Sequence, residues 1–349
     1  MTEVYYVKNV SQENFEKLLR NLDLSFVKPK DFVALKTHFG EDKCVTYISP
    51  KLYSPLVKIL AEKECFPFYT DTNTIYVGKR ANAVEHLKIA SEHGFSLESL
   101  GIPVIIADGI KGNDYVEVEI NLKHFVKAKI ASNIYYSDAL ICLTHFKGHM
   151  LFGFGGSIKN LGMGCAARPA KFLLHNAMKP KFKVENCIGC GRCISYCPKK
   201  ALKLDYEKKV IIFDSAKCVG CGECVHICDY KVFSIPWDLT YKEVQERTVE
   251  CAYAVVKDKI GKVLYINFLM NVTQDCDCIN KKQIPKITNI GIVAGYDPVA
   301  VDYCSLNLVN EVYGKDLFKE FWPKIDYLFQ LDYAEEIGLG SKQYKIVEI

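Results

Sequence analysis

Two runs of cysteine in the middle of the chain carry the spacing of metal ligands: Cys187, Cys190, Cys193 and Cys197, then Cys218, Cys221, Cys224 and Cys228. Each is a C-x2-C-x2-C-x3-C run, the pattern of thiolates around iron-sulfur clusters. Three cysteines spaced this way can turn their sulfurs inward on one tight loop, and a cubane then needs a fourth sulfur from another direction. Gly189, Gly191, Gly220 and Gly222 suit that curl, because glycine adopts backbone conformations closed to other residues. A zinc site or buried free thiols are the plainer alternatives. Two complete runs offset by 31 residues favour two [4Fe-4S] clusters over either.

Over residues 180–236 the chain resembles a bacterial two-cluster ferredoxin. The resemblance implies that the last cysteine of each run crosses to the other cluster. Cys187, Cys190, Cys193 and Cys228 would then serve one cluster, and Cys218, Cys221, Cys224 and Cys197 the other. Pro198 follows the first run as in the ferredoxin signature, whereas Asp229 stands where the second proline is expected. Electron transfer is the capability this implies.

Outside these runs, polar residues recur just after apolar stretches. His38, Asp71 and Asp108 follow three such stretches, and Thr144 to Gly164 reads THFKGHMLFGFGGSIKNLGMG. The expected catalytic group is His38, His145, Lys147, His149 and Lys159. A lysine ammonium can stabilise negative charge developing on oxygen, and a histidine can transfer a proton. Gly153, Gly155 and Gly156 could also present backbone donors to an anion. The bland alternative is a tight turn leading into a helix, with each histidine tethering a loop. Cys276 and Cys278 flank Asp277, and soft sulfur ligands favour zinc, copper or iron over magnesium. An auxiliary metal site is therefore expected from Cys276, Cys278, Cys165 and Asp71, with His38, His145 and His149 as further candidates; ordinary packing of the thiols is the alternative. No GxGxxG signature supports direct use of NADH, and a flavin stays open.

These residues need a scaffold. Short apolar runs at Val4 to Val7, Phe32 to Lys36, Phe66 to Tyr69, Val104 to Ala107, Ala139 to Leu143, Val263 to Leu269 and Ile290 to Ala294 read as strands. Helical patterns lie between them, notably Asn14 to Leu24, Val84 to Ala90 and Tyr241 to Lys257. The order predicts an α/β fold with a mostly parallel sheet covered by helices. A small α+β ferredoxin-like domain over 180–236 would interrupt it, leaving 1–179 and 237–349 as the two parts of one discontinuous α/β domain.

Composition is that of a globular chain: 349 residues, 49% hydrophobic and 25% charged. The chain start lacks the pattern of a secretory signal, and no apolar run reaches the roughly 18 residues of a membrane span. Thiolate clusters favour a reducing compartment, so the cytoplasm is expected. Lys plus Arg exceeds Asp plus Glu by 45 to 41, a formal +4. Each oxidised cluster with its four thiolates carries about −2, which brings the loaded chain near neutrality and gives no support to a primary nucleic-acid role. The expected partners are a redox protein acting as donor or acceptor and a small-molecule substrate, with no membrane partner.

Longer motifs carry a second resemblance. KTHFGE at Lys36 to Glu41, TDTNT at Thr70 to Thr74, ADG at Ala107 to Gly109, HFKGH at His145 to His149 and FGFGGSIKNLGMG at Phe152 to Gly164 recur with CDC at Cys276 to Cys278 and DPVAVD at Asp297 to Asp302. This set resembles the domain-of-unknown-function 362 family, whose members often carry a ferredoxin insertion. The resemblance supports the interrupted α/β fold and names no reaction. The expected function is an iron-sulfur reductase or redox-dependent synthase. The alternative is a non-catalytic electron-transfer or metallocofactor-assembly protein serving an enzyme.

Overall fold

The computed structural model describes residues 2–76, 78–175, 179–218, 220, 222–237 and 239–349, the side chain of His226 aside. The expected ligand Cys221 lies outside the described residues. Eight strands form the main sheet: β1 (Thr2–Lys8), β2 (Phe32–Lys36), β3 (Phe66–Asp71), β4 (Val104–Ile106), β5 (Ala139–His145), β6 (Val263–Val272), β7 (Ile287–Gly295) and β8 (Tyr344–Glu348). Their spatial order is β8-β1-β7-β6-β5-β2-β3-β4.

Five of the seven neighbouring pairs are parallel, and β7 runs antiparallel to both β1 and β6, so the sheet is mixed. The cause is the connection. Residues 273–286 join β6 to β7 without a crossover helix, and neighbouring strands joined directly run antiparallel.

Strand residues alternate between the two faces of the sheet. Leu140 and Cys142 of β5 enter one apolar core, whereas Ala139, Ile141 and Leu143 enter the other. The second core is closed by α1 (Gln12–Arg20) and α2 (Ser54–Glu62), with α3 (Ala83–Glu92) at its edge. The first is closed by α4 (Ser157–Gly162), α5 (Arg168–His175), α8 (Tyr241–Val256) and α9 (Pro298–Tyr313), the labels α6 and α7 falling to the cysteine-rich stretch below. Asp297 caps α9, accepting from the Val299 and Ala300 N–H groups at 2.9 and 3.0 Å, as its place before Pro298 suggests. No described helix is long and apolar enough to cross a membrane.

The cysteine-rich stretch lies between α5 and α8. It contains α6 (Arg192–Tyr196), α7 (Glu223–Ile227), the pair Leu202–Asp205 with Val210–Phe213, and the pair Lys181–Phe182 with Phe233–Ser234. Leu202, Ile211, Val232 and Phe233 form an apolar cluster of their own.

Candidate functional site

The parallel strands β2, β3 and β5 end at Lys36, Asp71 and His145, so the loops that follow them meet at one edge of the sheet, where open α/β folds build sites. β6 is parallel to β5 and sends its following loop to the same edge. There a cavity of about 440 Å³ is lined by residues from every one of these loops, among them His38, Asp71, His145, Lys147, His149, Lys159, Cys276 and Cys278.

One group on the cavity wall is a candidate metal centre. One ligand atom each from His149, Cys276 and Cys278 lies within 4.8 Å of the others. Close backbone approach brings them together: Gly148 N–H donates to Thr273 O at 2.8 Å, and a Cβ at position 148 would press into the Thr273–Gln274 backbone. A hydrogen bond from Cys278, helped by the Lys159 and Lys147 ammonium groups, holds the Cys276 thiol well below its ordinary range, while Cys278 is pushed well above it. Burial holds His149 neutral, with its ring oriented by the Leu151 N–H at 3.1 Å from Nδ1. A His/Cys/Cys group with His149 and Cys276 buried and Cys278 half-buried suits a soft or borderline metal ion and leaves a coordination position for another ligand.

Asp277 points away from its flanking cysteines. It is fully buried, and one oxygen lies 2.8 Å from His145 Nδ1 and 3.3 Å from Lys147 Nζ. The other accepts from Thr46 Oγ1 at 3.0 Å. His145 Nε2 meets the Met270 carbonyl at 2.8 Å, so both ring nitrogens of His145 are engaged in fixing the loop.

Asp71 belongs to a second buried network, with Lys36 Nζ at 3.0 Å and Arg80 Nη1 at 3.2 Å. Burial alone would raise its carboxyl; Lys36 and the neighbouring cationic groups outweigh that and hold it far below the ordinary range. Arg80 also pairs with Glu41 at 3.2 Å and with Tyr76. Sequence reasoning passed over Lys36, Glu41 and Arg80. Lys36 and Glu41 bound the KTHFGE motif and could have been found there, whereas nothing in the spacing marks Arg80.

Cys165 sits apart, fully buried in the apolar core against α4. His38 reaches the cavity wall, with Nδ1 accepting from Gly40 N–H at 3.0 Å. Lys159 also borders the cavity, its Nζ 3.8 Å from Cys276 Sγ. Gly155 and Gly156 of the glycine-rich turn line the cavity, whereas the first donors of α4, Ser157 N and Ile158 N, are taken by the Asp302 carboxylate at 2.6 and 3.0 Å.

The cysteine runs sort into two small cavities. Cys187, Cys190, Cys193 and Cys228 line one; Cys197, Cys218 and Cys224 line the other. Gly189, Gly191, Gly220 and Gly222 all have φ between 69° and 75°, the left-handed region expected of them. Backbone N–H groups approach sulfur from Ile211 to Cys187 at 3.4 Å and from Ala201 to Cys197 at 3.2 Å.

Residues 33–307 match the family described as Domain of unknown function (DUF362). The chain belongs to that family. The DUF362 match spans β2 through most of α9 and takes in all the loops that line the large cavity. No curated protein matches the chain. Among solved structures, the lactate racemase apoprotein from Thermoanaerobacterium thermosaccharolyticum is 11% identical with a TM-score of 0.39, over 76% of this chain and 50% of that one. A Thermotoga maritima protein is 12% identical with a TM-score of 0.47, over 86% of this chain and 58% of that one. The chain thus spans about half the length of the first and less than two thirds of the second.

Proposed function

We propose that this DUF362 chain is an iron-sulfur reductase or redox-dependent synthase, in which the eight cysteines of the two runs hold two [4Fe-4S] clusters and the large cavity holds the substrate. The grouping of Cys187, Cys190, Cys193 and Cys228 apart from Cys197, Cys218 and Cys224 is what supports the crossed ligand sets. Thiolates within one set would repel one another without a cation, and glycine φ values and N–H groups turned toward sulfur suit a cluster cradle. When bound, such clusters supply single electrons at low potential.

The observation that carries an enzyme reading is the His149, Cys276 and Cys278 group on the wall of a cavity large enough for a small molecule. In this reading the group holds one metal ion, Lys159 orients an anionic or carbonyl oxygen beside it, and the Asp277 clamp keeps the two cysteines in place. His38, on the same wall, is the candidate for moving a proton, since His145 is committed to Asp277 and Met270. A redox protein partner would dock where Cys190 is exposed.

Anaerobic purification followed by iron and sulfide quantitation and EPR tests the reading. About eight irons per chain and the signals of reduced cubanes are expected. Fully reconstituted protein with only mononuclear metal would overturn it, and partner reduction with no bound small molecule or turnover would replace the enzyme by an electron carrier.

A further inference from the structure

One contact between the cysteine-rich stretch and the rest of the chain runs along a stripe of α5. Arg168, Lys171, Phe172 and His175 are spaced i, i+3, i+4 and i+7, which places them on one face of the helix. The stripe has two neighbours. Lys171 and His175 line the large cavity. Phe172 packs on the second cysteine run: a Cβ at Gly220 would stand 3.0 Å from Phe172 Cδ1, and one at Gly222 would stand 3.7 Å from Cδ2. Arg168 forms a buried ion pair with Glu223, which itself lines the cavity of Cys197, Cys218 and Cys224. The guanidinium also donates to Thr74 O at 3.1 Å and Lys111 O at 2.9 Å. Thr74 is again a wall residue of the large cavity.

The other cysteine set faces away. Its cavity is bordered by Ile188 and Tyr230, which are 55% and 50% exposed, and by the exposed Arg192–Asp229 pair. Cys190 in that set is itself exposed.

We infer that the two cysteine sets are ordered: the Cys197, Cys218 and Cys224 set is the inner one, docked on the wall of the large cavity, and the Cys187, Cys190, Cys193 and Cys228 set is the outer one, open to a redox partner, with Arg168 as the positioning residue that fixes this order. The inference rests on the reading that both sets hold clusters. Its physical basis is charge. Glu223 places a buried carboxylate beside a set of thiolates, an arrangement that needs a compensating cation, and Arg168 supplies it from the cavity wall while remaining bonded to two backbone carbonyls there. The same contacts cover one face of the inner set and leave the outer set uncovered.

The test uses the full-length, cluster-loaded protein and two readouts that do not depend on turnover. With a ferrous chelator, iron release from the wild type is expected in two phases. The fast phase disappears in Cys193→Ser and the slow phase in Cys224→Ser. Arg168→Gln speeds the slow phase several-fold and leaves the fast one alone. In EPR-monitored redox titration, Arg168→Gln shifts the inner set to more negative potential and Glu223→Gln shifts it to more positive potential, because the first removes a nearby cation and the second a nearby anion. A merely structural pair would not give shifts of opposite sign. The double variant Arg168→Gln with Glu223→Gln leaves no unpaired buried charge and is expected to keep both clusters, with a potential between those of the single variants. Wild-type protein with no cubane clusters sinks the proposed function and this inference together. Two clusters that release iron at one rate, or that both move in Arg168→Gln, sink the ordering alone.

Discussion

The carboxylate of Asp277 lies 2.8 Å from Nδ1 of His145, so the residue between Cys276 and Cys278 is anchored to the end of β5, the strand that leads into the His149 loop. That anchor, shared with Lys147 and Thr46, fixes the loop bearing both sulfurs. Asp277→Asn keeps the size and removes the charge that faces the Lys147 ammonium and the His145 ring. Removing one partner of a buried ion pair costs about 3–5 kcal/mol, and disturbing the groups that orient metal ligands costs about 10–100-fold in affinity. Urea unfolding and competition titration with cobalt or zinc are expected to show both losses. Unchanged metal affinity would mean that the cysteine loop holds its shape without the clamp.

Cobalt offers a direct view of the His149, Cys276 and Cys278 group, because thiolate coordination produces intense near-ultraviolet absorption. Cluster-loaded protein given one equivalent of Co(II) is expected to show it as a difference from the spectrum of the protein alone. Cys276→Ser and Cys278→Ser should each weaken the band, and the double variant should abolish it, while iron content stays at the wild-type level. His149→Ala is expected to weaken binding and preserve the sulfur band. Full intensity in the double variant would assign the cobalt to other thiols.

Gly148 is the contact on which the centre closes. Gly148→Ala would push a methyl group into the Thr273–Gln274 backbone and move the His149 strand away from the Cys276 loop. Overpacking of this kind costs typically about 1–3 kcal/mol. The expected outcome is a modest fall in stability with a larger fall in cobalt affinity. Affinity equal to that of the wild type would show that His149 is not drawn to the cysteines by this contact.

A fourth outcome concerns pH. Burial lifts the Asp108 carboxyl from an ordinary 3.8 to about 6, against the pull of Lys171. The folded chain therefore binds this proton more tightly than the unfolded chain does. Its contribution is fully present below about pH 4 and is lost as pH rises toward about 6, a total of roughly 3 kcal/mol. Oδ1 accepts from Asn73 N–H at 2.9 Å, and among the described residues Oδ2 has no hydrogen-bond partner. Asp108→Asn keeps the first bond and places a donor at the second position. Urea titrations across this window are expected to show the wild type losing stability relative to Asp108→Asn as pH rises. Parallel curves for the two proteins would place the titration elsewhere.

Much of the scaffold was legible because continuous apolar runs such as Ala139 to Leu143 make buried strands, and because polar residues after them land at one sheet edge. His149, Cys276 and Cys278 were all singled out, yet sequence spacing could not choose among His38, His145, His149 and Cys165 as companions of the two sulfurs. That choice is made by the Gly148 contact between segments 125 residues apart in the chain, from position 148 to Thr273. The antiparallel β7 was obscured for a related reason: Ile290 to Ala294 is as apolar as its parallel neighbours, so direction depends on the connection before it. Arg80 and Arg168 escaped notice because a buried arginine is defined by its partners, and Glu41 and Glu223 lie 39 and 55 residues away from them.

β5 and β6 are side-by-side neighbours in the sheet although the entire cysteine-rich stretch lies between them in sequence. Excising that stretch would leave every backbone ladder of the sheet intact, which makes it a detachable accessory as far as the strands are concerned. Among the contacts that resist removal is the Arg168–Glu223 ion pair, since excision would take away the carboxylate that faces the guanidinium. A relative built without the accessory is therefore expected to carry an uncharged side chain at the position of Arg168, and that one substitution would mark which lineages have shed it.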